Sequence, residues 1–403
     1  MDFFELPAIN QTTIDKQNCF LLFETSLCDN VNHLSYIFSD PIEIIKVYDF
    51  NQVRLAFEKI QKLSSRYYIA GYLAYELGYY FQGIEALSKY DFPLINMAVF
   101  KKPLVFNHKK PLKSGFKEKV FRRTKTKDKF SVNGLNFIFN RDTYAKKILY
   151  LKEQIKNGNT YQVNFTGRYD FDFKGSAYSF YNELKARQNV AYSAFCKFDG
   201  KHVISLSPEL FFRKKKQVII SKPMKGTICR GKDTEEDNKL ISELKNSQKN
   251  LSENLMIVDL IRNDLGRICQ TSSVKVDKLF EIEKFESLFQ MTSTVKGVLK
   301  KNLSYFEIFK NLFPGGSVTG APKISTMKII KDVESIPRNV YCGALGFITP
   351  DNEAIFNLPI RTVVLENGLG QMGVGSGIVA DSDIDNEFQE CELKADFLIK
   401  TER

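Results

Sequence analysis

Short apolar runs cut off by glycine, proline, asparagine or polar turn residues recur along this chain, and most are too brief to be helices. Cys19–Phe23, Tyr36–Phe38 and Ile42–Tyr48 open the series. Tyr67–Tyr80 reads as a longer strand in which Gly71 and Gly78 let another backbone come close. In TYQVNFT, Tyr161, Val163 and Phe165 alternate with Gln162 and Asn164, a strand with one polar face. Ala191–Phe198, Lys201–Ser205, Leu210–Phe212 and Val218–Ile220 follow, with Arg213–Lys216 as a solvated turn. Residues 273–299, Cys342–Ile348, Ala354–Leu365 and Gln371–Val379 close the series.

Helical spacing is rarer. It predicts helices over Val53–Leu63, from an Asp142 N-cap to Asn157-Gly158, over Asp237–Leu265 with a break near Ser247–Asn250, over Tyr305–Leu312, after Pro322, and over Ile384–Ile399. A chain of 403 residues exceeds one ordinary core, so two lobes or one composite domain are expected.

The formal charge of +11 invites a nucleic-acid reading, but its distribution argues otherwise. Residues 101–129 carry twelve lysines and arginines against Glu118 and Asp128, nearly the whole excess, with few apolar residues between them. This reads as a solvated linker or exposed hairpin; a nucleic-acid stripe is the rival reading, without a recognised binding fold around it. Seven scattered cysteines, never spaced CxxC, suit reduced thiols in a cytoplasm. His33, His108 and His202 lie in no acidic or glycine-rich cluster, which disfavours histidine triads and histidine-held metals. No signal peptide is expected from MDFFELPAINQTT and no membrane span from any apolar run.

Four stretches bear chemistry. SKPMKGTICRG (221–231) places Lys225 between Pro223 and Gly226, with Thr227 behind it. Held and desolvated, that amine is a nucleophile; left in water, it is an ordinary turn lysine. Glu253 shares a helical face with Met256, Ile257 and Leu260, so it is either paired or cation-binding, or it lies at the edge of the face. QMGVGSGIV offers unobstructed backbone N–H groups for a carboxylate, or it is a strand packed tightly against another; its GxGxG spacing is not a dinucleotide fingerprint. Glu387, Glu390 and Lys394 form one line on the last helix, a place for a hard cation and an anion or simply a solvated face. PGGSVTGAPK (314–323) lacks the Lys-Ser/Thr of a phosphate loop.

In order, YQVNFT (161–166), SPELFF (207–212), PMKGTICRG (223–231), ENLMIVDLIRNDLGRI (253–268), PGGSVTGAPK (314–323), NLPIRTVVL (357–365) and GVGSGIVADSDIDNEFQECELKA (373–395) resemble the chorismate-utilising enzymes: the anthranilate, aminodeoxychorismate, isochorismate and salicylate synthases. The likeness covers roughly residues 140–400, with a looser match in FLLFET (20–25) and GYLAYELGYYF (71–81). It implies an α+β fold of two interlocked halves of antiparallel β-sheet packed as a sandwich with flanking helices. The implied layout is an N-terminal lobe over 1–100 with room for a tryptophan pocket, a basic linker over 101–139 and a chorismate-binding domain over 140–403.

The family's water-using members carry a lysine where this chain has Gln162, and its anthranilate synthases usually read PIAGT where this chain reads PMKGT. The first departure points to the ammonia-using branch, and the second, within it, to the members that aminate chorismate at C4 towards 4-aminobenzoate and folate, with C2 amination to anthranilate as the alternative. The resemblance implies Lys225 as nucleophile at C2 and Glu209 as general acid for the departing C4 hydroxyl. It implies Mg²⁺ on Glu253 and Glu390, with Glu387 close by or reaching it through water. Tyr341, Arg361 and the backbone of Gly375–Gly377 would receive the enolpyruvyl carboxylate; Lys394 would lie near the ring carboxylate, and Thr227 and Gln290 near the substrate. Gln290 stands where the family commonly has histidine, so it is expected as a contact without an acid–base role. The implied partner is a glutamine amidotransferase subunit that delivers ammonia; no membrane or nucleic-acid partner is expected.

Overall fold

The computed structural model describes residues 11–25, 28–29, 31–109, 129–188, 190–284 and 288–399. Most of the basic stretch, residues 110–128, lies outside them. Twenty strands form two antiparallel sheets of ten. Those of the N-terminal part are β1 (Cys19–Glu24), β2 (Leu34–Ser39), β3 (Glu43–Val47), β4 (Tyr68–Leu73), β5 (Ile95–Phe100), β6 (Leu104–Asn107) and β7 (Phe130–Phe137). Then come β8 (Gln162–Gly175), β9 (Tyr192–Phe198), β10 (Lys201–Ser207), β11 (Leu210–Lys215), β12 (Val218–Lys222), β13 (Met224–Cys229), β14 (Lys275–Lys284) and β15 (Leu288–Val298). The last are β16 (Gly320–Ala321), β17 (Ala344–Ile348), β18 (Ala354–Asn357), β19 (Thr362–Glu366) and β20 (Leu369–Ile378).

One sheet runs β16-β8-β20-β19-β10-β9-β1-β2-β6 with β7 added on β8, the other β13-β15-β12-β11-β18-β17-β4-β5-β3 with β14 added on β15. Residues 19–107 therefore supply strands to both sheets, and within the range 101–139 lie β6 and β7, each paired into the first sheet.

Both faces of most strands are covered, which is why the apolar runs are continuous rather than alternating. Along β1, Cys19, Leu21 and Phe23 enter the layer between the sheets, where they meet Phe38, Tyr72, Phe100, Cys196 and Phe347. Phe20 and Leu22 point the other way, to a core shared with helices. The helices are α1 (Gln11–Asp15), α2 (Val53–Leu63), α3 (Leu77–Gln82), α4 (Arg141–Lys156), α5 (Ala177–Arg187), α6 (Thr234–Asn246), α7 (Gln248–Ile268), α8 (Tyr305–Leu312), α9 (Lys323–Val333) and α10 (Ile384–Ile399). Tyr178 and Tyr181 of α5 pack on Phe195 of the first sheet, and Phe309 of α8 packs on Phe212 and Phe356 of the second. No helix among the described residues is long and apolar enough to cross a membrane.

Four local readings change. The run Tyr67–Tyr80 is a strand only to Leu73; Leu77–Gln82 is helical and ends at Gly83, whose φ of 64° suits glycine. Gly71 does admit a backbone, since a Cβ there would lie 2.0 Å from the Asn96 carbonyl oxygen. Helix α4 is capped by Asn140, whose side chain accepts from the Thr143 N–H, not by Asp142. Lys214 is buried inside β11, with Nζ donating to Asn352 O and Oδ1, because the two-residue period turns it inward beneath Phe212. Ala354–Leu365 is two strands in different sheets, β18 and β19, and Arg361 stands between them.

Candidate active site

The chain changes sheets twice at one place. Between β10 and β11 it crosses through Pro208 and Glu209, and between β18 and β19 it crosses back through residues 358–361. β10 pairs with β19 and β11 with β18, so the crossings run side by side. Ser207 Oγ donates to Leu358 O at 2.6 Å, the Leu358 N–H to Glu209 O at 3.1 Å, and the Leu206 N–H to Arg361 O at 3.1 Å. Arg361 takes a left-handed φ of 51° to make its turn. Glu209 and Arg361 thereby line the same cavity, of about 490 Å³, between the sheets' ends. That volume is in the range of small-molecule sites.

All twelve residues singled out from the sequence line this cavity: Glu209, Lys225, Thr227, Glu253, Gln290, Tyr341, Arg361, Gly375, Gly377, Glu387, Glu390 and Lys394. Lys225 comes from β13 and Glu253 from α7, and Lys225 Nζ lies 3.4 Å from Glu253 Oε2. The break before α7 falls at Ser247, whose hydroxyl accepts from the Asn250 N–H and starts the helix that carries Glu253.

Burial pushes the Glu209 carboxyl up to about 7 against three opposing influences: a 2.6 Å hydrogen bond from Ser317 Oγ, the charge of Lys225, and the Met224 N–H. A carboxyl in that range carries a proton for much of the neutral region. Burial lowers the Arg361 guanidinium to about 10, still cationic at neutral pH. Tyr341 is held neutral by burial, and its ring fills the space a side chain at Gly373 would need, 2.3 Å from that Cβ.

The glycine strand is packed tightly and also presents polar backbone to the cavity. Packing is tight: a Cβ on Gly375 would lie 2.4 Å from Phe165 O, and one on Gly377 would lie 2.4 Å from Gln162 Nε2 and 3.3 Å from Lys225 Nζ. The backbone also faces the cavity. Opposite Gly375 and Gly377 on β8, the N–H groups of Thr166 and Asn164 donate to Glu334 and Thr319 instead of to β20. These are non-hydrogen-bonded pairs, so the polar groups of Gly375 and Gly377 turn away from β8. Lys394 Nζ takes the Gly375 carbonyl at 2.6 Å.

The three remaining carboxylates differ. Glu253 holds Lys225, and Glu390 holds Lys394 at 2.6 Å. Glu387 is buried; Oε1 accepts from Ser382 Oγ at 2.8 Å, while Oε2 is buried with no partner. Among the described residues no three acidic, histidine or cysteine side chains are gathered tightly enough to hold a metal. The orphaned Glu387 Oε2 shares the cavity with Glu253 and Glu390, and carboxylate oxygens are the donor type a hard divalent cation takes.

Thr227 Oγ1 donates to Gln290 Oε1 at 2.7 Å, and Gln290 Nε2 to Gly226 O at 2.8 Å. Asn164, Lys249, Asn250, Ser317 and Ser376 also line the cavity and were not singled out from the sequence. Ser317 had a signal, since PGGSVTGAPK stood out without an assigned role. The others depend on which strands and helices converge.

A family model described as chorismate binding enzyme matches residues 20–400. Over 272 residues the chain is 39% identical to the probable chloroplastic aminodeoxychorismate synthase of Oryza sativa subsp. japonica, an alignment covering 66% of this chain and 30% of that protein. It is 33% identical to aminodeoxychorismate synthase component 1 of Escherichia coli K12 over 82% of this chain and 76% of the relative. It is 39% identical to anthranilate synthase component 1 of Saccharolobus solfataricus over 66% and 63%. The chain thus spans less than two thirds of the length of two of these three relatives. The crystal structure of anthranilate synthase component I from Streptococcus pneumoniae TIGR4 superposes with a TM-score of 0.77 at 24% identity, covering 93% of this chain and 94% of that one, and shares the two-sheet α+β fold.

Proposed function

The chain belongs to the chorismate binding enzyme family, and from that premise we propose that it aminates chorismate at C4, as an aminodeoxychorismate synthase component I. The observation that carries this reading is the place of Lys225: an amine inside the cavity, 3.4 Å from Glu253 and beside Gly377, with the Glu209 carboxyl of the same cavity pushed up to about 7 by burial.

The unprotonated amine of Lys225 attacks C2, and its nitrogen becomes a secondary ammonium as the new C–N bond forms. The two ring double bonds shift, and the C4–O bond breaks as Glu209 donates its proton, so that water leaves rather than hydroxide. Ammonia then attacks C4, the double bonds shift back, the C2–N bond breaks so that Lys225 departs as the neutral amine, and the new C4 ammonium returns a proton to the Glu209 carboxylate. The products are 4-amino-4-deoxychorismate, water and the free lysine. Arg361, with Tyr341 and the N–H groups of Gly375 and Gly377, supplies donors for the enolpyruvyl carboxylate. Glu253, Glu387 and Glu390 would hold Mg²⁺, which when bound draws electron density from the ring through the C1 carboxylate. Ammonia would come from a glutamine amidotransferase subunit, a partner consistent with the "component 1" in the relatives' names. The product class is that of 4-aminobenzoate and folate synthesis.

The test is the product formed from chorismate, ammonium and Mg²⁺. Expected is 4-amino-4-deoxychorismate. Fluorescent anthranilate, formed with no added lyase, would instead place the chain with the C2-aminating relatives.

A further inference from the structure

Lys225 does not sit in a regular strand. β13 pairs with β15 through Met224↔Thr292 and then Thr227↔Gln290, so three steps on one strand oppose two on the other. The extra residue makes a bulge of Lys225 and Gly226 across from Met291, with Gly226 at a left-handed φ of 83°. A bulge breaks the ladder and re-aims a side chain.

Gln290 supplies bonds at that break. Its amide nitrogen donates to the Gly226 carbonyl at 2.8 Å, and its amide oxygen accepts from Thr227 Oγ1 at 2.7 Å. Three residues further along β15, the Ser293 N–H donates to Pro223 O at 3.1 Å. Lys225 is thus held on both sides by β15. Gln290 is 2% exposed, so its amide is largely shielded from competing water. On the far side, Leu244 and Asn250 crowd Gly226, with a Cβ there 3.1 and 3.0 Å from their side chains.

We infer that Gln290 is a positioning residue: its side-chain amide replaces the ladder bonds lost at the Lys225–Gly226 bulge and so fixes the direction of the Lys225 amine. Its role is therefore to brace the nucleophile's strand, not to contact the substrate. The inference deepens the proposed function, since it matters for catalysis only if Lys225 is the nucleophile.

The test is Gln290→Met, which keeps length and loses both hydrogen bonds. Peptide-level hydrogen exchange over residues 223–229 is expected to rise while the rest of the chain is unchanged. Misplacing a reacting group by about 1 Å costs on the order of a hundredfold, so kcat should fall between about tenfold and about a hundredfold, with KM for chorismate within about threefold. Unchanged exchange in 223–229 overturns the brace. A rise in KM at constant kcat overturns it in favour of direct substrate contact. If Gln290→Met does not fold, Thr227→Val, at an exposed position, removes one of the two bonds and is read the same way. Lys225→Ala is run beside it. Wild-type turnover by Lys225→Ala would sink the nucleophile reading, whereas the exchange result bears on the brace alone.

Discussion

Glu209 and Arg361 share one cavity because each lies where the chain leaves one sheet for the other, and the Leu358 N–H, three residues before Arg361, donates to the Glu209 carbonyl. Both residues are thus fixed by backbone at the seam of the sandwich. Their spacing does not depend on a mobile loop. A site of this kind holds its geometry only as well as the two crossings hold each other.

The Glu209 carboxyl, held at about 7, sets a pH limb. Its acid role needs the protonated form, so kcat should fall as pH rises through about 7. Ser317 stabilises the ionised form, and Ser317→Ala should move that limb to higher pH. Stability follows the same sign. The folded value lies above the ordinary glutamate value of 4.5, so this group's contribution is full below about 4.5 and is lost as pH rises through about 7. Glu76, also held near 7 by burial, acts in the same direction. Denaturant midpoints at pH 5 and pH 8 should differ less in Glu209→Gln than in the wild type; equal differences would show that Glu209 is ionised throughout.

Magnesium dependence should separate the three glutamates from Glu209. Glu253→Gln, Glu387→Gln and Glu390→Gln are each expected to raise the Mg²⁺ concentration for half-maximal activity by about tenfold or more, the scale of losing one ligand or its support. Glu387→Gln carries the sharpest expectation, because Oε2 has no protein partner to lose. Titration of activity against Mg²⁺ checks this, and three unchanged curves would remove these residues as ligands.

Gly377→Ala tests the packing of the glycine strand. The added methyl would lie 2.4 Å from Gln162 Nε2 and 3.3 Å from Lys225 Nζ. Gln162 is 1% exposed and has nowhere to retreat. Overpacking of this kind costs about 1–3 kcal/mol, and the displaced Lys225 should lose at least tenfold in kcat. Thermal unfolding and steady-state rates read the two effects separately.

The sequence was most legible where structure is local. Helices Val53–Leu63, Tyr305–Leu312 and Ile384–Ile399 fall where their apolar spacing put them, and the Ser247 break lies where the helical pattern faltered. Pairing across the sandwich was not local and was misread. Ala354–Leu365 reads as one largely apolar run, yet it serves two sheets; Asn357, Arg361 and above all Pro359, which cannot donate to a ladder, were the local signs of the break. Lys214 sits in a run of basic residues that reads as surface, and only the register of β11 against β18 shows that it turns inward. The cavity residues were legible through motifs taken in order. Ser317 and the bulge at Lys225 were not, because both depend on what lies opposite in space.

Arg338 joins the parts that surround Glu209. Its guanidinium is buried and forms paired hydrogen bonds to Glu334 of 2.6 and 2.8 Å, lies 4.2 Å from the centre of the Tyr75 ring, and donates to Val318 O and Asn164 O, each at 2.7 Å. Val318 follows Ser317, the donor to Glu209, and Asn164 lies on β8 beside the glycine strand. Arg338→Met would leave the Glu334 carboxylate buried without its cation, a loss of about 3–5 kcal/mol. Lysine would restore charge but not the fork that meets Glu334 and two carbonyls together, so Arg338→Lys should recover only part of it. Because the same guanidinium fixes the Ser317 segment, Arg338→Lys should also blur the pH limb set by Glu209. A fully wild-type denaturation midpoint and pH–rate profile in Arg338→Lys would show that charge alone, and not the fork, joins these elements.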